Sequence, residues 1–600
     1  MLDLLLKQAG ESEPGFARKT VKWAITATAE GRYTGVVALG EGKGRAFDGC
    51  PNLSQPELVG GSKPRSHFLC DSLAVMALWL ERKRDETGIN YLKRCRDHLE
   101  KNLDKHTNFT QLLGDASNTV SALSAACQLL KSKDNLRAIR KDLRSQRAKA
   151  TDTAVVVIDN VNPLECGDWS DWWRMFRTTL RKQPKKNKTG LMRCLITGEC
   201  ISPALTHPIK IAGLPGDGKF TLGDAIVSFD KKSSQSYGLK QSTNAAMSVE
   251  TATAYASTLN LLIEQKSIRL GGMQSVYWFS NQEEIPDEDD VMSYFSEPSS
   301  QATGSAELRA HELLTAIRSG KRPDLAGSRF VALMLSGRTS RVMVREVMQG
   351  RFEDLVQNAE SWFRDLEIVA NDGKGLAKDP KFSSLAVSLV RNDRKKSINE
   401  VMKEVPAPWL QQLWRAAVTG GRIPAATLAQ AVNRCRIDVI TDQPASHARM
   451  ALIKAYLIRN KGDQDMHRTV NSDHPHPAYH CGRALAAFAR LQQAVGNAKA
   501  GVVQRFYLAA AQTPGLILGR LASNAKNHMA KLDGGLAWWY EGQIAEIMCH
   551  IGDTPPRTLT LEEQSLFALG YYQQLAEFRA GKKGLPEDAN DDESDSTQPE

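Results

Sequence analysis

Between Pro406 and Lys583 almost every segment repeats its apolar side chains at intervals of three and four residues. That period restricts this half of the chain to packed helices. Trp409, Leu410, Leu413, Trp414 and Ala417 make one such face, Leu485, Phe488, Leu491 and Val495 a second, and Leu561, Leu566, Leu569 and Tyr572 a third. Short connections at Gly420, Pro424, Gly501 and Pro514 separate them, as in a helical bundle. No self-similarity of the solenoid type accompanies the pattern.

The residues ahead of this region mix two periods. Tyr33–Leu39 and Ala154–Asp159 are β-branched runs that predict strands, as do Ile209–Ile211, Ala225–Phe229, Val276–Phe279, Phe330–Leu335 and Val342–Val344. Leu73, Met76, Ala77 and Leu80 stand at helical spacing in and around Cys70–Trp79, and a further helix is expected near Ala306–Ile317. The fold class expected is therefore an α+β N-terminal domain followed by a mainly α C-terminal helical bundle. We place the first domain at 1–375, with an acidic loop at about 281–307, and the second at 376–583. Residues 584–600 carry Glu587, Asp588, Asp591, Asp592, Glu593, Asp595 and Glu600 with almost no apolar side chain, the composition of a disordered tail.

Lys and Arg number 78 against 68 Asp and Glu, a net charge of +10. With the seven tail carboxylates set aside the surplus becomes +17, a balance suited to a polyanionic partner. No run of about 18 apolar residues exists to span a membrane, and Met1–Lys7 is too short for a secretion signal. A cytoplasmic location is expected. The ten cysteines form no framework and are expected to be free thiols.

Catalytic patterns are scarce. Gly213-Leu214-Pro215-Gly216-Asp217-Gly218-Lys219 has phosphate-loop spacing, but Phe220 replaces the Ser or Thr that holds magnesium, and strand-like residues follow where a helix is required. A tight turn is the better account. His474, His476, His480 and Cys481 cluster without a complete ligand spacing, so no metal and no cofactor is expected. The chain reads as a binder; the rival reading is a stand-alone metal-dependent nuclease built from dispersed carboxylates.

Binding candidates are of three kinds. Arg137, Arg140, Lys141, Arg144 and Arg147 recur at helical intervals, either a basic ridge for phosphates or a solvated face. Arg181, Lys182, Lys185, Lys186 and Lys188 crowd Pro184 just after Trp169, Trp172, Trp173 and Phe176, aromatics read here as core. The polar string Ser236, Tyr237, Gly238, Gln241, Ser242 and Asn244 can approach base edges.

That string belongs to a block that resembles a known family. Cys194-Leu195-Ile196-Thr197-Gly198-Glu199, His207-Pro208, Val227-Ser228-Phe229, Ser236-Tyr237-Gly238, Gln241-Ser242 and Asn244-Ala245 resemble the large subunit of the type I-C CRISPR Cascade complex (Csd-type family). Lys63-Pro64, Asp71, Val276-Tyr277-Trp278, Leu452–Leu457, Tyr479-His480-Cys481-Gly482-Arg483, Thr513-Pro514 and His528–Leu532 continue the likeness in order over about 60–535. Ala246-Met247-Ser248 and Ala484-Leu485-Ala486 depart from it.

The resemblance implies a non-catalytic subunit that contacts guide RNA, other Cascade subunits, target duplex DNA and the displaced single strand. It also implies recognition of a protospacer-adjacent motif, a surface for a helicase–nuclease recruited in trans, and separate copies of the C-terminal domain from an internal start. Met450 and Met466 are the candidate starts. Lys63, Arg65, Tyr237, Gly238, Gln241, Ser242 and Asn244 become candidates for motif reading. Arg520, Lys526 and Lys531 become candidates for the displaced strand, and Arg483 either joins them or pairs with a carboxylate inside the bundle.

Overall fold

The computed structural model describes residues 1–10, 13–54, 57–58, 63–83, 86–181, 190–215, 223–280, 286, 289–296, 305–338, 341–391, 395–440, 446–496 and 501–580. They divide into two compact units. One comprises Met1–Lys266 with Gly337–Met343, the other Ser267–Ser336 and the chain from Val344 onward. Each has its own apolar cluster.

In the first unit β1 (Phe16–Val21) pairs antiparallel with β4 (Arg45–Pro51). A four-stranded sheet runs in the order β3 (Tyr33–Ala38), β2 (Trp23–Ala27), β6 (Thr153–Ile158), β5 (Cys70–Ser72). The Ala154–Val157 run that predicted a strand lies in the interior of this sheet, in parallel register with β2: Trp23 faces Ala154 and Ile25 faces Val156. Parallel neighbours need a crossover. Here it carries α1 (Gly88–Ala116), α2 (Ala122–Lys131) and α3 (Lys133–Ser145), which bury Phe109, Leu112, Leu129, Leu130, Ile139 and Leu143 in the same cluster as the sheet. Thr87 and Ser132 cap α1 and α3 by accepting from the amides of Asn90 and Asn135.

Two local expectations change. Cys70–Ser72 is a strand and only Leu73–Met76 turns helical, because the strand hydrogen-bonds to β6 and Leu78, at φ +49°, leaves the helical region. The strands expected at Ile209–Ile211 and Ala225–Phe229 shrink to single bridges, Ile211 to Asp224 and Ala225 to Arg341.

The second unit opens with a sheet of order β12 (Arg341–Arg351), β11 (Arg329–Arg338), β10 (Met273–Phe279), β9 (Ser267–Leu270). Gly271-Gly272 turns β9 into β10. Helices follow, with α4 kept for Ser170–Arg181 and α5 for Val249–Gln265 of the first unit: α6 (Ala306–Arg318), α7 (Phe352–Leu366), α8 (Ala407–Thr419), α9 (Ala425–Ile440) and α10 (His447–Tyr456). A final group comprises α11 (Pro477–Val495), α12 (Val502–Gln512), α13 (Pro514–Met529), α14 (Gly534–Ile551) and α15 (Leu561–Ala580).

One apolar cluster runs from Ile268 to Ala576, so the boundary expected at 375/376 lies inside this unit: α7 packs on α8 and α10. The strand-bearing first part and the helical remainder otherwise follow the expected class. Parts of the expected acidic loop at 281–307 and all of the tail at 584–600 lie outside the described residues.

α11 is the hub of the last five helices and packs against each of the other four. It is buried from Ala478 to Ala489, the mark of an interior helix. Two glycines permit this. A Cβ on Gly482 would lie 2.0 Å from the Phe567 carbonyl oxygen, and one on Gly570 would lie 2.0 Å from that of Tyr479. α11 and α15 therefore meet backbone to backbone.

Candidate nucleic-acid interface

The block that carries the resemblance is one locale of the first unit. Leu195 donates its amide to the Ala246 carbonyl (2.9 Å), Ala204 to Met247 (2.8 Å) and Ser242 to Leu205 (3.0 Å), tying 194–205 to 242–247. Burial raises the Cys194 thiol, but hydrogen bonds from Thr197, Ile196 and Ser248 outweigh it and leave the group below its ordinary pKa. His207 hydrogen-bonds to the Tyr255 hydroxyl on α5, and burial pushes it down to about 4. Backbone hydrogen bonds hold this scaffold together.

The scaffold presents a loop. Tyr237 at φ +52° and Gly238 at φ +71° make a left-handed turn closed by the Leu239 amide on the Ser236 carbonyl (2.9 Å). Asn244 locks it from beneath. Its Oδ1 accepts from the Ser236 amide (2.8 Å), and its Nδ2 donates to the carbonyls of Leu239 (3.0 Å) and Gln241 (2.9 Å). The outcome is a Tyr237 side chain that is 99% exposed. Gln241, Lys231, Lys232 and Lys240, neighbours in sequence, are exposed as well. A bulky residue at positive φ, held out in water by a clamped loop, is strained in the manner of functional sites.

Two of the expected motif readers are engaged within the chain: the Asn244 amide bonds to its own loop, and Ser242 is buried. Lys63 reaches Asp104 (3.1 Å) on the surface, and Arg65 donates to the Glu57 carbonyl (2.7 Å).

The expected ridge splits as well. Arg137, Lys141 and Arg144 are exposed on α3, joined by Lys133, and Arg137 pairs with Asp134 on its own helix. Arg140 turns inward: its Nε donates to the Ala77 carbonyl (2.8 Å), and burial lowers its pKa. Arg147 lies beyond the helix end at φ +55°, exposed. Arg181 ends α4, whereas Lys182, Lys185, Lys186 and Lys188 lie outside the described residues. The aromatics before them are core: Trp173 stacks on Phe68 (5.5 Å) and donates to the Gly15 carbonyl (2.8 Å).

In the second unit Arg483 is buried. It donates to Gln574 (2.7 Å), the Ser472 carbonyl and both oxygens of Glu546 (3.2 Å each), the structural alternative rather than a groove contact. Arg520, above the Phe506 ring, and Lys526 and Lys531 are exposed. So is Trp538, which the sequence reading missed.

The clustered histidines are each engaged. His476 caps α11, and His480 bonds to the His474 carbonyl and stacks on His550. Among the described residues no group of three or more His, Cys, Asp or Glu is arranged to hold a metal ion. No helix among them is long and apolar enough to cross a membrane. Residues 216–222 of the glycine-rich segment lie outside the described residues; Ile211 and Asp224, on either side of it, form an antiparallel bridge.

A family model, CRISPR-associated protein (Cas_Csd1), matches residues 4–579. The chain belongs to the Cas_Csd1 family. The match spans both units, so the Csd-type resemblance read from scattered motifs extends over nearly the whole chain. No curated protein matches the sequence. As a Cas_Csd1 member it is a CRISPR-associated protein.

Proposed function

We propose that the chain is the non-catalytic large subunit of a type I-C Cascade complex. In this reading it contacts guide RNA and neighbouring subunits, recognises the protospacer-adjacent motif in duplex DNA, and assists strand separation there. It steadies the displaced strand and offers a surface to the helicase–nuclease. Base pairing by the guide reads the remaining sequence.

The observation that carries this reading is the clamped loop that holds Tyr237 fully exposed, with exposed Lys231, Lys232 and Lys240 in the same stretch of chain. An aromatic ring stacks on a base or wedges into a step, and lysines hold the phosphates beside it. Gln241 is the adjacent exposed amide for a base edge. The exposed ridge of Arg137, Lys141 and Arg144 adds contacts blind to sequence.

The test is binding of the guide-loaded complex to duplexes with a correct or a mutated flank. Tyr237→Ala is expected to weaken the correct duplex about tenfold, and Gln241→Ala to reduce the preference between the two. Wild-type behaviour of both variants would remove the loop from the mechanism. Magnesium-dependent DNA cleavage by the purified chain alone would replace this reading with the nuclease.

Separate C-terminal copies fit a start at Met466 better than at Met450. Met450 lies inside α10, whereas Met466 precedes α11 and the four helices that pack on it. Met466→Leu is expected to abolish a C-terminally tagged product of about 135 residues, a size that fits one bundle, and Met450→Leu to spare it.

A further inference from the structure

The N-terminal half of α1 carries an apolar seam that the core of its unit does not use. Ile89, Leu92, Leu99 and Leu103 are 82%, 69%, 45% and 48% exposed. Together with Arg96 they advance along the helix in alternating steps of three and four residues. That is the narrow stripe of a helix laid against another helix. Beyond Leu103 the same line continues through His106 and Thr110, both buried, with His106 bonded to the Val75 carbonyl (2.9 Å). One stripe is therefore core in the second half of α1 and bare in the first.

The bare half is held in place. Thr87 caps the first turn, the Tyr91 hydroxyl donates to the Leu80 carbonyl (3.1 Å), and Arg94 pairs with Glu86 (2.6 Å) on another face. Four large apolar side chains in one row differ from the single exposures of an ordinary surface.

Arg96 decides what covers the seam. It sits in the middle of the row, exposed, and no carboxylate among the described residues pairs with it. A second copy laid symmetrically about the centre of the seam would bring Arg96 against Arg96, two like charges in a contact that loses water. A nucleic acid would satisfy the arginine but not the leucines. The partner that satisfies both is a helix with apolar residues at heptad spacing and an Asp or Glu opposite Arg96.

We propose that this seam of α1 docks an amphipathic helix of a different protein, which supplies a carboxylate to Arg96. The choice of partner class rests on reading the chain as a subunit of a larger assembly.

The test uses the full chain and, as probe, the co-encoded Cas subunits loaded with guide RNA. Leu92→Glu combined with Leu99→Glu is expected to weaken binding at least about tenfold, with an unchanged melting temperature because both side chains are exposed. Free-DNA binding by the same variant stays at the wild-type value. A photo-crosslinking residue at position 99 is expected to mark a helical segment, and changing that segment's carboxylate to Lys should restore binding to Arg96→Glu. Wild-type affinity in both variants, or a crosslink to RNA or to a second copy, overturns the proposal alone. Failure of the wild-type chain to bind the loaded subunits overturns the assembly reading, and this proposal with it.

Discussion

Arg137 on α3 and Arg483 on α11 are the same residue on equally regular helices, yet one stands in water and the other lies under a layer of side chains. The surroundings make the difference. α3 buries Leu136, Ile139 and Leu143 and turns Arg140 partly inward, and its remaining positions are largely charged. α11 is packed on every side with Ala, Leu, Phe and Tyr, so a cation there must be paired. Position on a helix says which side chains share a face; the apolar content of the whole helix says whether that face meets water.

The contrast breaks most severely at the glycines. Gly482→Ala is expected to cost about 3 kcal/mol, since the added methyl group must displace the α15 backbone. Urea denaturation measures it, and a loss below about 1 kcal/mol would show that the helices part easily.

Arg483→Met comes next, at about 2–3 kcal/mol, because Gln574 and Glu546 lose their partner, with the half-exposed Glu546 softening the effect. A neutral result would put Arg483 among the solvated cations after all.

The third prediction concerns acid. Burial, and then the positive charge of Arg483 and His550, hold His480 down at about 4. Below its ordinary value of 6.5 the unfolded chain takes up a proton that the folded chain refuses, so stability falls as pH drops from 6.5 towards 4 and is level above that window. His480→Gln should flatten part of that slope in pH-dependent melting.

The smallest stability effect belongs to the ridge. Reversing Arg137, Lys141 and Arg144 to Glu should alter stability by less than about 0.5 kcal/mol, yet lower the salt dependence of DNA binding by about three units. An unchanged slope would make α3 an ordinary solvated face.

Much of the framework was legible before any coordinates. Tyr33–Ala38, Thr153–Ile158 and Phe330–Leu335 announce themselves as strands through dense β-branched or apolar runs, and the helices after Phe352 through their period. Cys70–Trp79 misled because its period is helical while its hydrogen-bond partner is a distant strand. The site was less legible for the same reason. Arg483 is neutralised by a carboxylate 63 positions away, and the exposure of Tyr237 depends on the amide of Asn244 reaching back under the turn. The spacing of Ile89, Leu92, Leu99 and Leu103 was available throughout, but period alone does not separate a bare stripe from a buried one.

The adjacency of β2 and β6 has a consequence for synthesis. Trp23 and Asp152, joined by a 3.0 Å hydrogen bond, are 129 positions apart. At elongation rates of about 5–20 residues per second the earlier strand leaves the ribosome roughly ten seconds before the later one. For that interval its amides and carbonyls on that side lack their native partner, open to any extended peptide nearby. The helical excursion between them is thus also a delay, and slower translation through it lengthens the period in which the nascent chain is open to aggregation.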